Sequence, residues 1–519
     1  MRISRSRRGT GSPSNSSSTR TGTTLLPLAF SLIAAFALGF LAHQQGWHAA
    51  VLRWGPVFVQ SPRAVVATWR ARTGLPVVTM DMRFADYQRL LTLRERALQL
   101  GVHVPAEAEA VAATVVFGSG EHQTVEVRLP GGPATRLQGE TWPIELRRKD
   151  DSAWMRLTPV DETRAEFAWQ QWGYLESLRS EGFSAATQTS VRLRFNGSDQ
   201  GIYMLETPAA DDMLVGFDAR AAWEAFAAGE IPFEGGFRYA LATAADNPTI
   251  VLSPATRAAA AQLRAVHVGA ATLSEVSEAE DLGRFLALTA LWTGAPAPDW
   301  LSLRWHYDPT TQKLSPVGMG QPRTDPIPLP EAFLDDPAVQ SAYARALAAF
   351  SSPAYLEQLR RDRGAALEQQ WLILGASTST TPWSLLETHQ RSMRARLAPA
   401  KTLETALEAD REGFVLHLTN LQSFPVMVMG LDAGGAGMHA LDPAWVLPED
   451  RAGIVEDGDT LVLRSARGSL PVAVRLRLPR NLTSVRGDAL YVVCRLWNAP
   501  APELRVPIVE PAPDPEASP

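Results

Sequence analysis

The sequence predicts an α+β chain: a mixed strand-and-helix domain with a helical C-terminal lobe, a β-sandwich behind it, and a single N-terminal transmembrane helix ahead of it. Three observations carry this expectation. Leu25 to Ala42 is an apolar run without a charge, residues 255–408 are dominated by helical periodicity, and short alternating runs separated by Gly, Pro, Asn and Asp fill the chain after Gly413.

The apolar run comes first. It is interrupted only by Pro27, Ser31 and Gly39, and Trp47 stands where an interfacial ring belongs. A helix rises about 1.5 Å per residue, so a run of this length matches a hydrocarbon core about 30 Å thick. Arg2, Arg5, Arg7, Arg8 and Arg20 precede it and Arg53 is the only strong cation close behind, which places the N-terminus inside. A cleaved secretory signal, with Arg7-Arg8 as a twin-arginine hint, is the rival reading, and it too exports the body. Residues 1–24 are Ser-, Thr- and Gly-rich and read as a disordered cytoplasmic tail. Residues 43–74 contain Arg and Trp but no acid, and read as a membrane-proximal stalk.

The folded body is expected over 75–408. A strand at 77–79 leads into a helix carrying Phe84, Leu90, Leu91 and Leu98 and stopped by Gly101. Strands follow at 113–117, 124–129 and 144–148, then a helix from 161 to 182 with Phe167, Trp172, Leu175 and Leu178 as its stripe. The sharpest local signal is Asn196-Gly197 between two alternating runs, which predicts a β-hairpin with Val191, Leu193 and Phe195 on one face. The helical region is broken between Asp299 and Pro328. Residues 409–499 read as the sandwich and 500–519 as a loose Pro- and acid-rich tail.

With 49 Lys and Arg against 55 Asp and Glu in 519 residues, no nucleic-acid partner is expected. The single cysteine, Cys494, lies in an apolar run and reads as a buried strand residue rather than a nucleophile. No histidine pair has metal-ligand spacing, and neither a phosphate-binding glycine loop with its lysine nor a nucleophile elbow occurs.

Further motifs point to a family. Pro159 to Arg164 forms a Pro-x-x-x-x-Arg element, Trp169 and Trp172 mark the helix ending at Gly182, and Asn196 to Glu206 reads N-G-S-D-Q-G-I-Y-M-L-E. A second block holds Trp300, Arg304, Tyr307, Pro309 and Pro316. On these residues the stretch 75–321 resembles the spore coat protein H (CotH) kinase-like family, an atypical protein kinase group. The resemblance implies a kinase-like fold that uses ATP and magnesium to phosphorylate proteins.

The chemistry positions depart from the family pattern. Leu301-Ser302 replaces a His-Asn pair, Gly320 stands at a metal-binding Asp, and Glu145 stands where a basic strand has a cation. Arg164 falls one residue late and Glu206 one early. Phosphoryl transfer needs cations on phosphate and oxygens on magnesium, so these changes point to a pseudokinase that binds rather than transfers. The expected role is a binding or scaffolding component of a bacterial cell envelope, anchored in the cytoplasmic membrane by residues 25–42, with an envelope protein or polysaccharide as partner. No cofactor and no metal are expected on this reading.

Two alternatives stay open. An active kinase acting on exported proteins would take Mg and ATP, with Glu206 and Asp299 as catalytic candidates and Arg147, Lys149 and Arg304 as phosphate-binding candidates. An envelope assembly or glycan-binding factor would use the fold as a platform, and fifteen tryptophans leave room for that. Asp211-Asp212, His306 and Asp308 read as a helix-start charge pair and loop residues.

Overall fold

In the chain as folded, the first strand finds its neighbours far away in sequence, and this sets the architecture. The computed structural model describes residues 62–209, 214–215, 254–293, 304–318 and 336–508. Within these spans 104, 119, 150–152, 161–164, 268, 376–380, 400, 411–412, 423, 433–436, 466–470, 480–489, 498 and 500–501 are not described. The chain divides at Trp69 and Arg70 into two compact units. Of the first, only the beginning of helix α1 (Pro62–Thr73) is described.

The second unit begins with β1 (Val77–Met82), α2 (Phe84–Leu100), β2 (Val102–His103), β3 (Val111–Val116), β4 (His122–Arg128), β5 (Gly132–Pro133), β6 (Ile144–Arg148) and β7 (Met155–Pro159). Helix α3 (Ala165–Ser180) and the hairpin strands β8 (Thr187–Phe195) and β9 (Ser198–Thr207) complete the first half. Seven of these strands close into a barrel in the order β1-β3-β4-β6-β7-β9-β8. Closure is made by β1, which pairs antiparallel with β3 and parallel with β8, Val78 opposite Leu193 and Met80 opposite Phe195. The expected kinase-like lobe is therefore corrected to a mixed α/β arrangement built on a closed barrel. The physical reason is that closure gives every strand two partners and leaves no edge unpaired.

Alternation fills the barrel. Val78, Met80, Val115, Val125, Val127, Leu146, Leu157 and Val191 point inward and are essentially inaccessible, and α2 lays Leu90 and Ala97 against the same core. Each such large side chain contributes roughly 1.5–3 kcal/mol on burial. The hairpin turn has Asn196 at φ 47° and Gly197 at φ 80°, the pair of positive dihedrals that a tight two-residue turn requires. Asn196 also joins the hairpin to β1: its Oδ1 accepts from the Met82 amide at 2.7 Å, and its own amide donates to the Met80 carbonyl at 2.9 Å.

Beyond β10 (Leu214–Val215) lie α4 (Pro254–His267), α5 (Leu273–Val276), α6 (Ala279–Thr293), β11 (Arg304–Asp308), β12 (Lys313–Val317), α7 (Pro337–Phe350), α8 (Pro353–Leu374) and α9 (Pro382–Leu397). Helix α3 packs into this bundle through Trp169, whose indole sits 5.4 Å from Trp292 and 5.1 Å from Trp371 and donates to the Leu367 carbonyl at 2.9 Å. The buried stripe of α3 is thus Trp169, Leu175 and Leu178, whereas Phe167 and Trp172 remain partly exposed.

The C-terminal strands are β13 (Leu403–Asp410), β14 (Gly413–Asn420), β15 (Val426–Asp432), β16 (Met438–His439), β17 (Ile454–Asp457), β18 (Thr460–Leu463), β19 (Val472–Leu478), β20 (Tyr491–Leu496) and β21 (Leu504–Pro507). They form a three-stranded sheet, β13-β14-β19, and a six-stranded sheet built around β15, with Leu416, Leu476, Val426 and Leu461 in one buried cluster. Strand β13 occupies residues expected at the end of a helix. It pairs along its whole length with β14, and that long-range ladder overrides local helical preference.

The expected transmembrane segment, 25–42, lies outside the described residues. Among the described residues no helix is long and apolar enough to cross a membrane.

Cys494 is fully buried on β20, and burial pushes its thiol up to about 12. A water-soluble disulfide reagent at neutral pH should leave it unmodified until denaturant is added. Rapid stoichiometric labelling of the folded chain would contradict this.

Candidate functional site

The outer face of the barrel carries a row of polar side chains that the hydrogen-bonded register sets directly opposite one another. Arg128 on β4 faces Glu145 on β6, Glu145 faces Arg156 on β7, Arg156 faces Glu206 on β9, and Glu206 faces Gln188 on β8. The pleat explains why these five share a face: on β6, Ile144 and Leu146 turn inward, so Glu145 and Arg147 turn outward.

Hydrogen bonds join the row in two groups, and charge couples Arg156 to Glu206 between them. The Arg128 Nε donates to Glu145 Oε2 at 2.9 Å, and Arg156 donates to Glu145 Oε1 from Nη2 at 2.8 Å and from Nε at 3.3 Å. Gln188 Nε2 donates to Glu206 Oε2 at 2.8 Å and to Gln171 of α3 at 3.1 Å. Glu145 and Glu206 are each only 6% exposed. Burial by itself lowers the Arg156 pKa, yet Glu145 and Glu206 outweigh it and raise the guanidinium above the ordinary arginine value.

The Trp154 ring lies 3.9 Å from the Arg128 guanidinium carbon and 4.4 Å from that of Arg147, covering the cationic end of the row.

The sequence-derived candidates distribute around this row unevenly. Glu206 is a member of it. Arg147 is a neighbour, but its guanidinium donates to Glu126 at 2.6 and 3.2 Å. Lys149 is exposed in the turn after β6. The backbone of Arg304 lies on β11 opposite Val317, while its side chain lies outside what is described. Asp299, Leu301, Ser302, Gly320 and Asp211-Asp212 also lie outside the described residues.

Asp308 caps its own loop, accepting from the Thr310 amide at 2.8 Å and the Thr311 hydroxyl at 2.9 Å, and these bonds hold its carboxyl below the usual range. Gly318 is clamped between Ser184 and Ala186 by backbone bonds, and a methyl there would lie 2.3 Å from Leu178. Among the described residues no group of three or more His, Cys, Asp and Glu side chains converges as a metal site does.

Arg128, Arg156 and Gln188 are the members that sequence reading missed. Arg128 reaches Glu145 because β4 lies beside β6, although β5 intervenes along the chain, and Arg156 reaches it because β7 lies on the other side of β6. The available signal was the alternation in Ile144-Glu145-Leu146, which sets the glutamate on the outer face.

Two guanidiniums and two carboxylates sum to zero formal charge. A nucleotide triphosphate brought to this face meets Glu145 and Glu206, which repel it, beside arginines already engaged with carboxylates. No family model matches the chain, and no curated protein matches it either.

Proposed function

We propose that the chain is a binding or scaffolding component of a cell envelope, held at the membrane through residues 25–42, and that it transfers no phosphoryl group. The single observation supporting this is the charge-balanced row Arg128–Glu145–Arg156–Glu206. Its guanidiniums neutralise its own carboxylates, so the face that the spore coat protein H resemblance would assign to a nucleotide carries no cationic excess. Motifs shared with that family, the Asn196-Gly197 hairpin above all, then serve as scaffold. An envelope protein or polysaccharide is the partner this reading calls for.

Full-length protein in detergent micelles, melted with and without saturating magnesium and ATP, tests the proposal. A ligand at a hundredfold its Kd adds about 2.7 kcal/mol to the folded state, enough to move the melting temperature visibly. We expect no saturable change. A magnesium-dependent rise, or transfer of labelled phosphate from ATP to protein, defeats the proposal.

A further inference from the structure

At one mouth of the barrel α2, the segment before β6 and the tip of the hairpin border a shallow cleft of about 50 Å³ that opens to solvent. Its walls are aromatic. Tyr87 lies nearly parallel to Trp142, centroids 6.5 Å apart and planes at 18°, and Phe195 meets Tyr87 at 5.3 Å. Tyr203, only 3% exposed, lines it as well.

Polar groups converge on the same space. Glu140, Thr141 and Gln200 line it, and among the described residues their side chains have no hydrogen-bond or ionic partner. Gln200 is aimed there by a β-bulge: Leu193 pairs with Gly201 and Arg194 with Asp199, which leaves Gln200 as the extra residue. Bulges of this kind re-aim a side chain, and Gly201 at φ 89° makes the bend possible.

Charge decides what kind of ligand fits. Arg94 lies 4.5 Å from the Trp142 centroid and donates to the Leu137 and Gly139 carbonyls at 2.7 and 2.6 Å, so that indole already has its cation. Glu140 is the one charged side chain lining the cleft and repels an anion, while Arg94, outside the lining, already holds the Trp142 face that a second cation would use. What remains is a neutral molecule with flat apolar faces and many hydroxyls. Aromatic rings offer apolar surface, while a carboxylate, an amide and a hydroxyl supply donors and acceptors at its rim.

We infer that this cleft binds a neutral saccharide, a pyranose face resting on the rings of Tyr87, Trp142 and Phe195 and its hydroxyls bonding to Glu140, Thr141 and Gln200. The inference rests on the reading that the chain works by binding, and it names the ligand class. Saturation-transfer NMR on the full-length protein in micelles, with cellobiose, maltose and N,N′-diacetylchitobiose as probes, tests it.

At least one probe should receive saturation, and Glu140→Ala and Gln200→Ala should each weaken it by about tenfold, the loss of roughly one good hydrogen bond. Both positions are surface-accessible, so the variants should melt like the parent. Silence from all three probes overturns the inference, as does binding untouched by both substitutions. Stronger binding of glucosamine or of an arginine peptide than of the neutral sugars also overturns it. Magnesium and ATP added to the same sample separate the two ideas: silence to sugars alone removes the cleft assignment, while a response to ATP removes the wider proposal.

Discussion

Glu145→Lys, which installs a cation where the resembled family has one, should cost the fold most of its stability rather than restore nucleotide binding. Glu145 is buried and accepts from both Arg128 and Arg156. Removing one partner of a buried ionic group leaves the others uncompensated, at about 3–5 kcal/mol, so Glu145→Ala already carries that loss. Lysine adds repulsion, because like charges placed directly opposite on neighbouring strands destabilise the pair.

Urea denaturation followed by circular dichroism measures both variants, with exposed Arg148→Ala as a control expected within about 0.5 kcal/mol of the parent. A loss under about 1 kcal/mol for Glu145→Ala would place the row among screened surface pairs and remove the argument built on it.

The second large effect separates two helix glycines that the sequence cannot tell apart. Gly283 lies where α6 crosses α7, and a methyl there would stand 2.5 Å from the Ala342 carbonyl carbon and 2.6 Å from the Tyr343 nitrogen. Backbone atoms of a packed helix cannot swing aside, so the two helices must separate. Gly283→Ala gains about 1 kcal/mol of helix propensity but meets overpacking that typically costs about 1–3 kcal/mol and more against rigid backbone.

We expect a net loss of about 2 kcal/mol, since the displaced Tyr343 also packs 5.7 Å from Phe424. Gly364 on α8 is the counterpart. Its added methyl would meet Arg360 at 3.5 Å and Trp383 at 3.6 Å, both ordinary contacts. Gly364→Ala should therefore stabilise by up to about 1 kcal/mol. Equal signs for the two substitutions in thermal or urea melts would refute the packing argument.

These cases show where sequence reading stopped. Strand β6 was readable at its observed bounds because Ile144 and Leu146 alternate with Glu145 and Arg147. Glu145 was singled out as an oddity. Its meaning was not readable, because a departure from a basic pattern looks the same whether the acid is idle or holds two arginines. The role of Trp142 in a cleft emerged only when α2 and the hairpin tip were brought beside it.

The sequence by itself determined what depends on a few neighbouring residues: the turn at Asn196-Gly197, the stop of α2 at Gly101, and the strand character of the run holding Cys494. Each follows from dihedral limits or short-range alternation, which act within a handful of bonds. Tertiary structure alone decided that β1 joins β8 to close a barrel, that Arg128, Glu145, Arg156 and Glu206 stand in one row, and that Gln200 turns into an aromatic cleft. Those facts rest on which strand lies beside which and in what register. A shift of one residue would exchange the barrel's inner face for its outer one, and no local preference specifies that choice.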